Sequence, residues 1–329
     1  MWFSLLWLLC SLVILTLGAE ALVRGATGIA RRFGVSSFFI GLTIVGFGTS
    51  TPELATGITS TLKGYADINI GNVVGSNIFN IALILGFTAL IAPIPVNTSV
   101  VRGEVWLVIL TAFIPFVAIL TGGEITRIEG LLMAAGLVAF LVRGYRSARA
   151  ENRETGAEIA KELDERLGAE AAGPFVRLPL AVAYVAFGLL MLVGGSNLLV
   201  DSSVQIARGL GVSELVISLT IISAGTSAPE LVTSLVAALR KQSDISIGNI
   251  LGSNIFNVLG ILGITSIVRN QQVNSQVLWL DVPVMIGLSI ACMPIMMSHR
   301  KISRIEGAFL LFVFLAYITA LFTVVPRVA

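Results

Sequence analysis

The sequence predicts an all-α membrane protein, ten transmembrane helices arranged as two inverted five-helix repeats. Three observations carry that prediction. The first is composition: of 329 residues, 56% are apolar and only 12% charged, about half the roughly 25% charge of a soluble domain. Mean hydropathy is +0.94. The second is an internal repeat, and the third is an odd number of apolar segments in each half.

Composition alone excludes a soluble enzyme and a disordered chain. A net charge of +2 with a pI near 8.7 is too thin for nucleic-acid binding. Cys10 and Cys292 both sit in apolar runs, so no disulfide framework is encoded.

The repeat comes next because it fixes the topology. Residues 41–86 align without a gap with 218–263, and 25 of the 46 positions are identical. The offset of 177 residues holds upstream, where Leu22, Val23, Ile29 and Ala30 recur as Leu199, Val200, Ile206 and Ala207. It holds downstream as well, where Arg127-Ile128-Glu129-Gly130 returns as Arg304-Ile305-Glu306-Gly307. The halves are therefore 1–145 and 178–329, joined by a linker at 146–177. The repeat also decides the N-terminus. A long apolar stretch with Ala19 and Ala21 has the look of a signal peptide, but it corresponds to residues 178–198, inside the chain.

A span needs roughly 20 apolar residues. The first half supplies segments at 3–23, 36–62, 68–92, 101–121 and 126–145. The second supplies 178–203, 213–239, 245–268, 277–298 and 303–325. Five is odd, so the second half enters the membrane upside down, the pattern of transporters whose site lies where the halves meet. Placing the N-terminus outside puts 16 of the 21 Lys and Arg residues on the cytoplasmic side, as the positive-inside rule requires. Both termini are then extracytoplasmic and the linker cytoplasmic. Within the linker, Arg149, Arg153, Glu154, Glu158, Lys161, Glu162 and Glu165 permit i,i+4 pairs. The linker is expected to be a solvated helix; about 30 residues are too few for a separate sensing domain.

Two acidic residues stand apart. Glu53 and Glu230 lie deep in apolar segments, in Gly48-Thr49-Ser50-Thr51-Pro52-Glu53 and Gly225-Thr226-Ser227-Ala228-Pro229-Glu230. An acidic group at mid-membrane costs about 2.5–3.5 kcal/mol on insertion scales. No Lys, Arg or His shares those segments at comparable depth, so a cation from solution is the expected partner. A protonated glutamate packed as a polar spacer is the alternative. Thr49 and Ser50 fall on the same helical face as Glu53. Pro52 removes an amide and opens the helix, freeing carbonyls where broken backbone can line a cavity. Hard oxygen donors of this kind suit calcium and sodium.

The following span complements them. Gly71-Asn72-Val73-Val74-Gly75-Ser76-Asn77-Ile78-Phe79-Asn80 recurs as Gly248-Asn249-Ile250-Leu251-Gly252-Ser253-Asn254-Ile255-Phe256-Asn257. Asn72, Ser76 and Asn80 form one polar stripe, and Gly71 with Gly75 makes a GxxxG that allows close helix approach.

These two segments resemble the α-repeats of the sodium/calcium exchanger family, within the calcium:cation antiporter superfamily. The resemblance covers both halves. It implies ten helices in two inverted halves, the first span of each forming a sliding gate bundle. It implies Glu53 and Glu230 as carboxylates shared by calcium and sodium, with Thr49 and Thr226 adding carbonyls and hydroxyls. Ser50, Ser227, Ser76 and Ser253 would coordinate sodium, Gly46 and Ser223 would offer carbonyls, and Asn80 and Asn257 would line the middle position. Some members carry Asp where this chain has Asn257, so this site holds two carboxylates rather than three.

The expected activity is antiport, sodium entering to drive calcium out. The alternative is a calcium/proton antiporter using the same two glutamates. A channel fits an inverted repeat with broken helices poorly, and no nucleophile–base pair marks an intramembrane enzyme. His299, the single histidine, sits at a span end and reads as a surface residue. No cofactor, nucleic acid or obligate protein partner is expected; the partners are calcium, sodium and the lipid bilayer.

Overall fold

The computed structural model describes residues 2–64, 66–116, 122–166, 178–209, 223–273, 277–297 and 300–324. The chain is helical along nearly all of this length. Helix α1 spans Trp2–Phe33. Helix α2 begins at Ser37 and runs to Thr49, then bends by 45° into α3, Thr51–Leu62. Helix α4 starts as Ala66–Ile78, passes through a π-helical stretch at Phe79–Leu85 and ends as Gly86–Ile91. Helices α5 (Thr98–Ala112) and α6 (Arg127–Arg166) complete the first half.

The second half repeats the order. Helix α7 is Leu178–Gly209, and α8 is Ala228–Leu239 after a short turn of helix at Ser223–Thr226. Helix α9 runs Ser243–Ile255, Phe256–Leu262 (again π-helical) and Gly263–Val268. Helix α10 opens with π-helical Val277–Asp281 and continues as Val282–Met297, and α11 is Arg304–Val324. Among the described residues seven helices are long and apolar enough to cross a membrane, or eight with the bent pair counted as one span. The first residues of the segment expected at 213–239, together with His299 and Ala329, lie outside the described residues.

Several spans outrun their expected ends. Helix α1 continues through Glu20, Arg24, Arg31 and Arg32 over 32 residues, roughly 48 Å at 1.5 Å per residue. Charged residues end the apolar run without ending the helix, since Glu and Arg are good helix formers. Helix α6 likewise joins the fifth span to the first part of the linker in one 40-residue helix, about twice what a bilayer core needs.

Inversion is visible in the packing. Helices α1 and α7 hold equivalent places in the repeat yet run antiparallel. A Cβ on Gly18 would meet Gly188 O at 3.1 Å, and one on Gly25 would meet Ala181 O at 2.6 Å. Small residues thus let the two backbones touch. Elsewhere the halves interlock. Gly307 of α11 abuts Gly86 of α4, where an added Cβ would lie 2.6 Å from Gly86 O. Their repeat equivalents, Gly130 of α6 and Gly263 of α9, abut in the same way, at 2.8 Å.

Two short antiparallel strand pairs tie the loops together. Strand β1 (Ile94–Pro95) pairs with β4 (Lys301–Ile302), and β2 (Glu124–Ile125) pairs with β3 (Gln271–Gln272). Adding the repeat offset converts one pair into the other. The loop after the third span thus meets the loop before α11 on one face, and their counterparts meet on the opposite face.

The main core draws on both halves, with Ile70, Val74, Ile78 and Ile81 beside Ile247, Ile250, Ile255 and Val258. A second, smaller cluster joins Leu15, Leu22 and Val23 of α1 to Val185 and Leu192 of α7, and to Val45, Ala228 and Ala237. The α1–α7 pair is therefore a separate layer laid on the α2 and α8 regions. Outward positions such as Phe3, Leu190, Trp279, Ile305 and Phe312 are exposed and apolar.

Candidate cation site

The helix break creates the site. Pro52 has no amide to offer Gly48 O, and the chain departs from helical geometry at Ser50 (φ −80°, ψ 10°) before α3 begins. Ser227 departs in the same way (φ −90°, ψ 7°) ahead of Pro229 and α8. Each break places a glutamate in the first turn of a new helix, Glu53 in α3 and Glu230 in α8. A carboxylate there is favoured by the helix dipole.

The two breaks face each other across the halves. Ser227 Oγ donates to Glu53 Oε1 at 3.0 Å, and Ser50 Oγ donates to Glu230 Oε1 at 2.9 Å. Both carboxylates are 1% exposed. Each keeps its second oxygen, Oε2, buried and without a hydrogen-bond partner. The described ion pairs join Glu20 with Arg24 and Arg240, and Glu104 with Arg143; none involves Glu53 or Glu230.

Thr49 is buried and its hydroxyl reaches Asn249 Oδ1 at 3.0 Å and Gly46 O at 3.3 Å. Gly46 O is already well occupied, accepting also from Ser50 N at 3.2 Å and Ser253 Oγ at 3.2 Å, so it is not a free carbonyl in this conformation. Asn80 and Asn257 are 1% exposed, and each leaves its Oδ1 unpartnered. Ser76 is buried, at 6% exposure. Thr226 closes the short turn of helix before Ser227, and Ser223 opens it.

Around these sit residues that the pattern alone did not single out for their contacts. Asn72 Nδ2 donates to Glu53 O and Asn249 Nδ2 to Glu230 O, both at 3.3 Å. Each ties the broken span to the next one. Phe47 stacks on Phe256 with ring centroids 4.3 Å apart, closing apolar surface beside the break. The π-helical stretches that begin at Phe79 and Phe256 carry Asn80 and Asn257, and such bulges re-aim side chains at functional sites. Two further acidic side chains lie inside spans. Asp281 accepts from Tyr317 Oη at 2.9 Å, and Glu104 lies 3.7 Å from Arg143. They occupy the same repeat position, a signal the 177-residue offset already contained.

The close-approach glycines differ between halves. A Cβ on Gly252 would lie 2.1 Å from Leu42 O, and one on Gly248 would lie 2.5 Å from Phe38 O. No described residue comes within 4 Å of a Cβ on Gly71 or Gly75.

Chemically, the arrangement is one of acceptors. Four buried oxygens, Glu53 Oε2, Glu230 Oε2, Asn80 Oδ1 and Asn257 Oδ1, lack a donor. A buried polar atom left unpaired costs free energy, and an acceptor oxygen in that state is one a cation can satisfy.

Comparison with known proteins agrees. Residues 3–145 and 180–323 match the family described as sodium/calcium exchanger protein. The chain belongs to the sodium/calcium exchanger family. Within it, the protein CaxA of Alkalimonas amylolytica is 37% identical, over 97% of this chain and 98% of its own. The sodium/calcium exchanger MaX1 of Methanosarcina acetivorans is 30% identical, over 96% and 97%. The solved structure of a sodium-calcium exchanger, NCX_Mj, superposes with a TM-score of 0.79 at 28% identity, covering 98% of both chains. Membership makes this chain a multi-pass membrane transporter rather than an enzyme, an antiporter for calcium and a counter-cation.

Proposed function

We propose that the protein exchanges sodium for calcium by alternating access, both ions competing for the site between the two breaks. The observation that carries this reading is the set of four buried, donor-free oxygens at Glu53, Glu230, Asn80 and Asn257. Two carboxylates supply a charge of −2, which one calcium ion neutralises. Calcium takes six to eight oxygen ligands, and the hydroxyls of Thr49, Ser50, Thr226, Ser227, Ser76 and Ser253, with the carbonyl of Ser223 and that of Gly46 once Thr49 and Ser253 turn from it to the ion, would supply neutral oxygens for it and for sodium. The serine hydroxyls that now donate to Glu53 and Glu230 would rotate, turning a lone pair to the metal. Because calcium and sodium need the same carboxylates, one displaces the other, and that competition couples the two fluxes.

Alternating access follows from the inversion. Each carboxylate belongs to one half and is held by the serine of the other, so a shift of one half against the other moves the whole site. Exchanging the conformations of two inverted halves turns an outward opening into an inward one. The separate α1–α7 layer, with its own core, is the element able to slide as a unit across the breaks. The boundaries 1–145 and 178–329 follow the same division.

The membrane orientation is part of the proposal. The basic bias puts residues 146–177 in the cytoplasm and both termini outside. On that assignment Arg240, Arg300, Lys301 and Arg304 share the cytoplasmic face with the β1–β4 pair, and the β2–β3 pair lies outside.

The counter-ion decides between sodium and the proton. Hydroxyl and carbonyl oxygens in excess of the carboxylates favour a metal ion, because a proton needs one donor and one acceptor only. Calcium-loaded proteoliposomes test this. Release on adding external sodium, with none on adding potassium or imposing a pH step, is the expected result; release driven by the pH step without sodium would establish proton exchange instead.

A further inference from the structure

Four asparagines cross the interface between α4 and α9, and only two of them are expected in the cation site. Asn80 Nδ2 donates to Asn254 Oδ1 at 3.2 Å, and Asn257 Nδ2 donates to Asn77 Oδ1 at 3.0 Å. Asn77 Nδ2 in turn reaches the backbone carbonyl of Asn254 at 3.3 Å. All four side chains are buried, the most exposed of them, Asn77, at 4%. The repeat offset maps Asn77 onto Asn254 and Asn80 onto Asn257, so one geometry is used twice.

A primary amide presents two unlike ends, an NH2 that donates and an oxygen that accepts. Turning the group over exchanges them at almost no steric cost. A cation requires the oxygen, and an NH2 aimed at it would repel it. The orientation of Asn80 and Asn257 is therefore a functional variable. Their own helices do not set it: among the described residues each amide bonds to a side chain of the facing helix. The facing asparagine does: by offering an oxygen, it holds the NH2 and leaves the other end as the orphan acceptor.

We infer that Asn77 and Asn254 are positioning residues, each fixing the amide of Asn257 or Asn80 so that its carbonyl oxygen is free to bind the transported cation. This rests on the proposed reading that Asn80 and Asn257 line the site. The pairing is crossed: Asn254 of the second half serves Asn80 of the first, and Asn77 serves Asn257. The two carboxylates are held in the same crossed sense by Ser227 and Ser50. Every oxygen at the centre is thus oriented by the opposite half. The two anchors differ in one respect. Asn77 is itself held by the Asn254 carbonyl, whereas Asn254 Nδ2 has no partner, so Asn254 depends on Asn80 for its own order.

A double-mutant cycle reads the crossed pairing directly. The half-saturating calcium concentration of sodium-dependent uptake is measured in proteoliposomes for Asn254→Ala, Asn80→Ala and the double variant. A parallel set combines Asn254→Ala with Asn257→Ala. Asn254→Ala alone is expected to raise half-saturation by about tenfold, the scale of one misdirected buried polar group, with the maximal rate little changed. In the Asn80→Ala background it should add nothing, and in the Asn257→Ala background it should act in full. A full effect in the Asn80→Ala background, or none in the unmodified protein, overturns the inference. An Asn80→Ala variant with unaltered calcium half-saturation would instead remove Asn80 from the site and overturn the functional reading. Asn77→Ala covers the case in which Asn254→Ala does not accumulate in the membrane. It should raise half-saturation in the unmodified protein and add nothing in the Asn257→Ala background; a full effect in that background overturns the inference.

Discussion

Ser227 Oγ donates to Glu53 Oε1 at 3.0 Å, joining the break in one half of the chain to the carboxylate in the other. Ser50 and Glu230 repeat the contact at 2.9 Å. On the proposed reading each hydroxyl turns a lone pair to the ion, so Ser227→Ala and Ser50→Ala each remove one oxygen ligand. Each should weaken calcium half-saturation by about tenfold or more, and by similar factors, the scale of one lost interaction with a charged group. Uptake titrations in proteoliposomes check this. One variant indistinguishable from the parent while the other is impaired would deny the equivalence of the two contacts.

Charge at the centre gives a second prediction. Glu53→Gln or Glu230→Gln keeps the shape of the side chain and removes one of only two negative charges. Each should lower calcium exchange by about a hundredfold or more, the scale of removing one partner from a buried charge pair, while the protein still inserts. Radiolabelled calcium uptake measures it. Wild-type exchange in both single variants would rule out a shared two-carboxylate site.

Helix contact gives a third. At Gly252 a new methyl group would meet the Leu42 backbone oxygen at 2.1 Å and its carbonyl carbon at 2.7 Å, and backbone cannot rotate aside. Gly252→Ala should cost about 1–3 kcal/mol as overpacking. Gly287, in the middle of α10, has no described atom within 4 Å of its Cβ, so Gly287→Ala should be neutral or stabilising by up to about 1 kcal/mol. Thermal unfolding in detergent compares them, and equal melting temperatures would contradict the close approach of α2 and α9.

Sidedness gives a fourth. In a background free of Cys10 and Cys292, cysteines introduced at Glu158 and Ala329 should react with an impermeant thiol reagent from opposite sides of the membrane. Reaction from the same side would refute the odd-numbered halves.

Much of this molecule is written in the sequence because it is written twice. Glu53 and Glu230 stand out as charges in apolar runs, and Pro52 and Pro229 mark the breaks beside them. The offset of 177 residues then turns each local pattern into a prediction about its partner. What escaped was set by tertiary contact. Nothing local in Phe79–Leu85 announces a π-helical stretch, because its apolar side chains suit an α-helix equally well. The strand pairs at Ile94 with Ile302 and at Ile125 with Gln271 join loops that are distant in sequence. The expected span ends at Val23 and Tyr145 fall where hydropathy drops, yet the helices run on to Phe33 and Arg166, since membrane depth and helix propensity are separate properties. The roles of Asn72, Asn77, Asn249 and Asn254 needed the neighbouring helix before they could be read. Asp281 and Glu104, by contrast, share a repeat position and were legible as a pair.

On the proposed reading, sodium and calcium move in opposite directions through this site. Three sodium ions for each calcium, the ratio that the proposed reading takes from the family resemblance, would carry net charge in each cycle. Recording the reversal potential of the exchange current across a bilayer, while sodium and calcium gradients are varied in turn, tests it most directly. The expected reversal potential shifts with both gradients and not with the pH gradient. A reversal potential that ignores the sodium gradient and follows pH would contradict it.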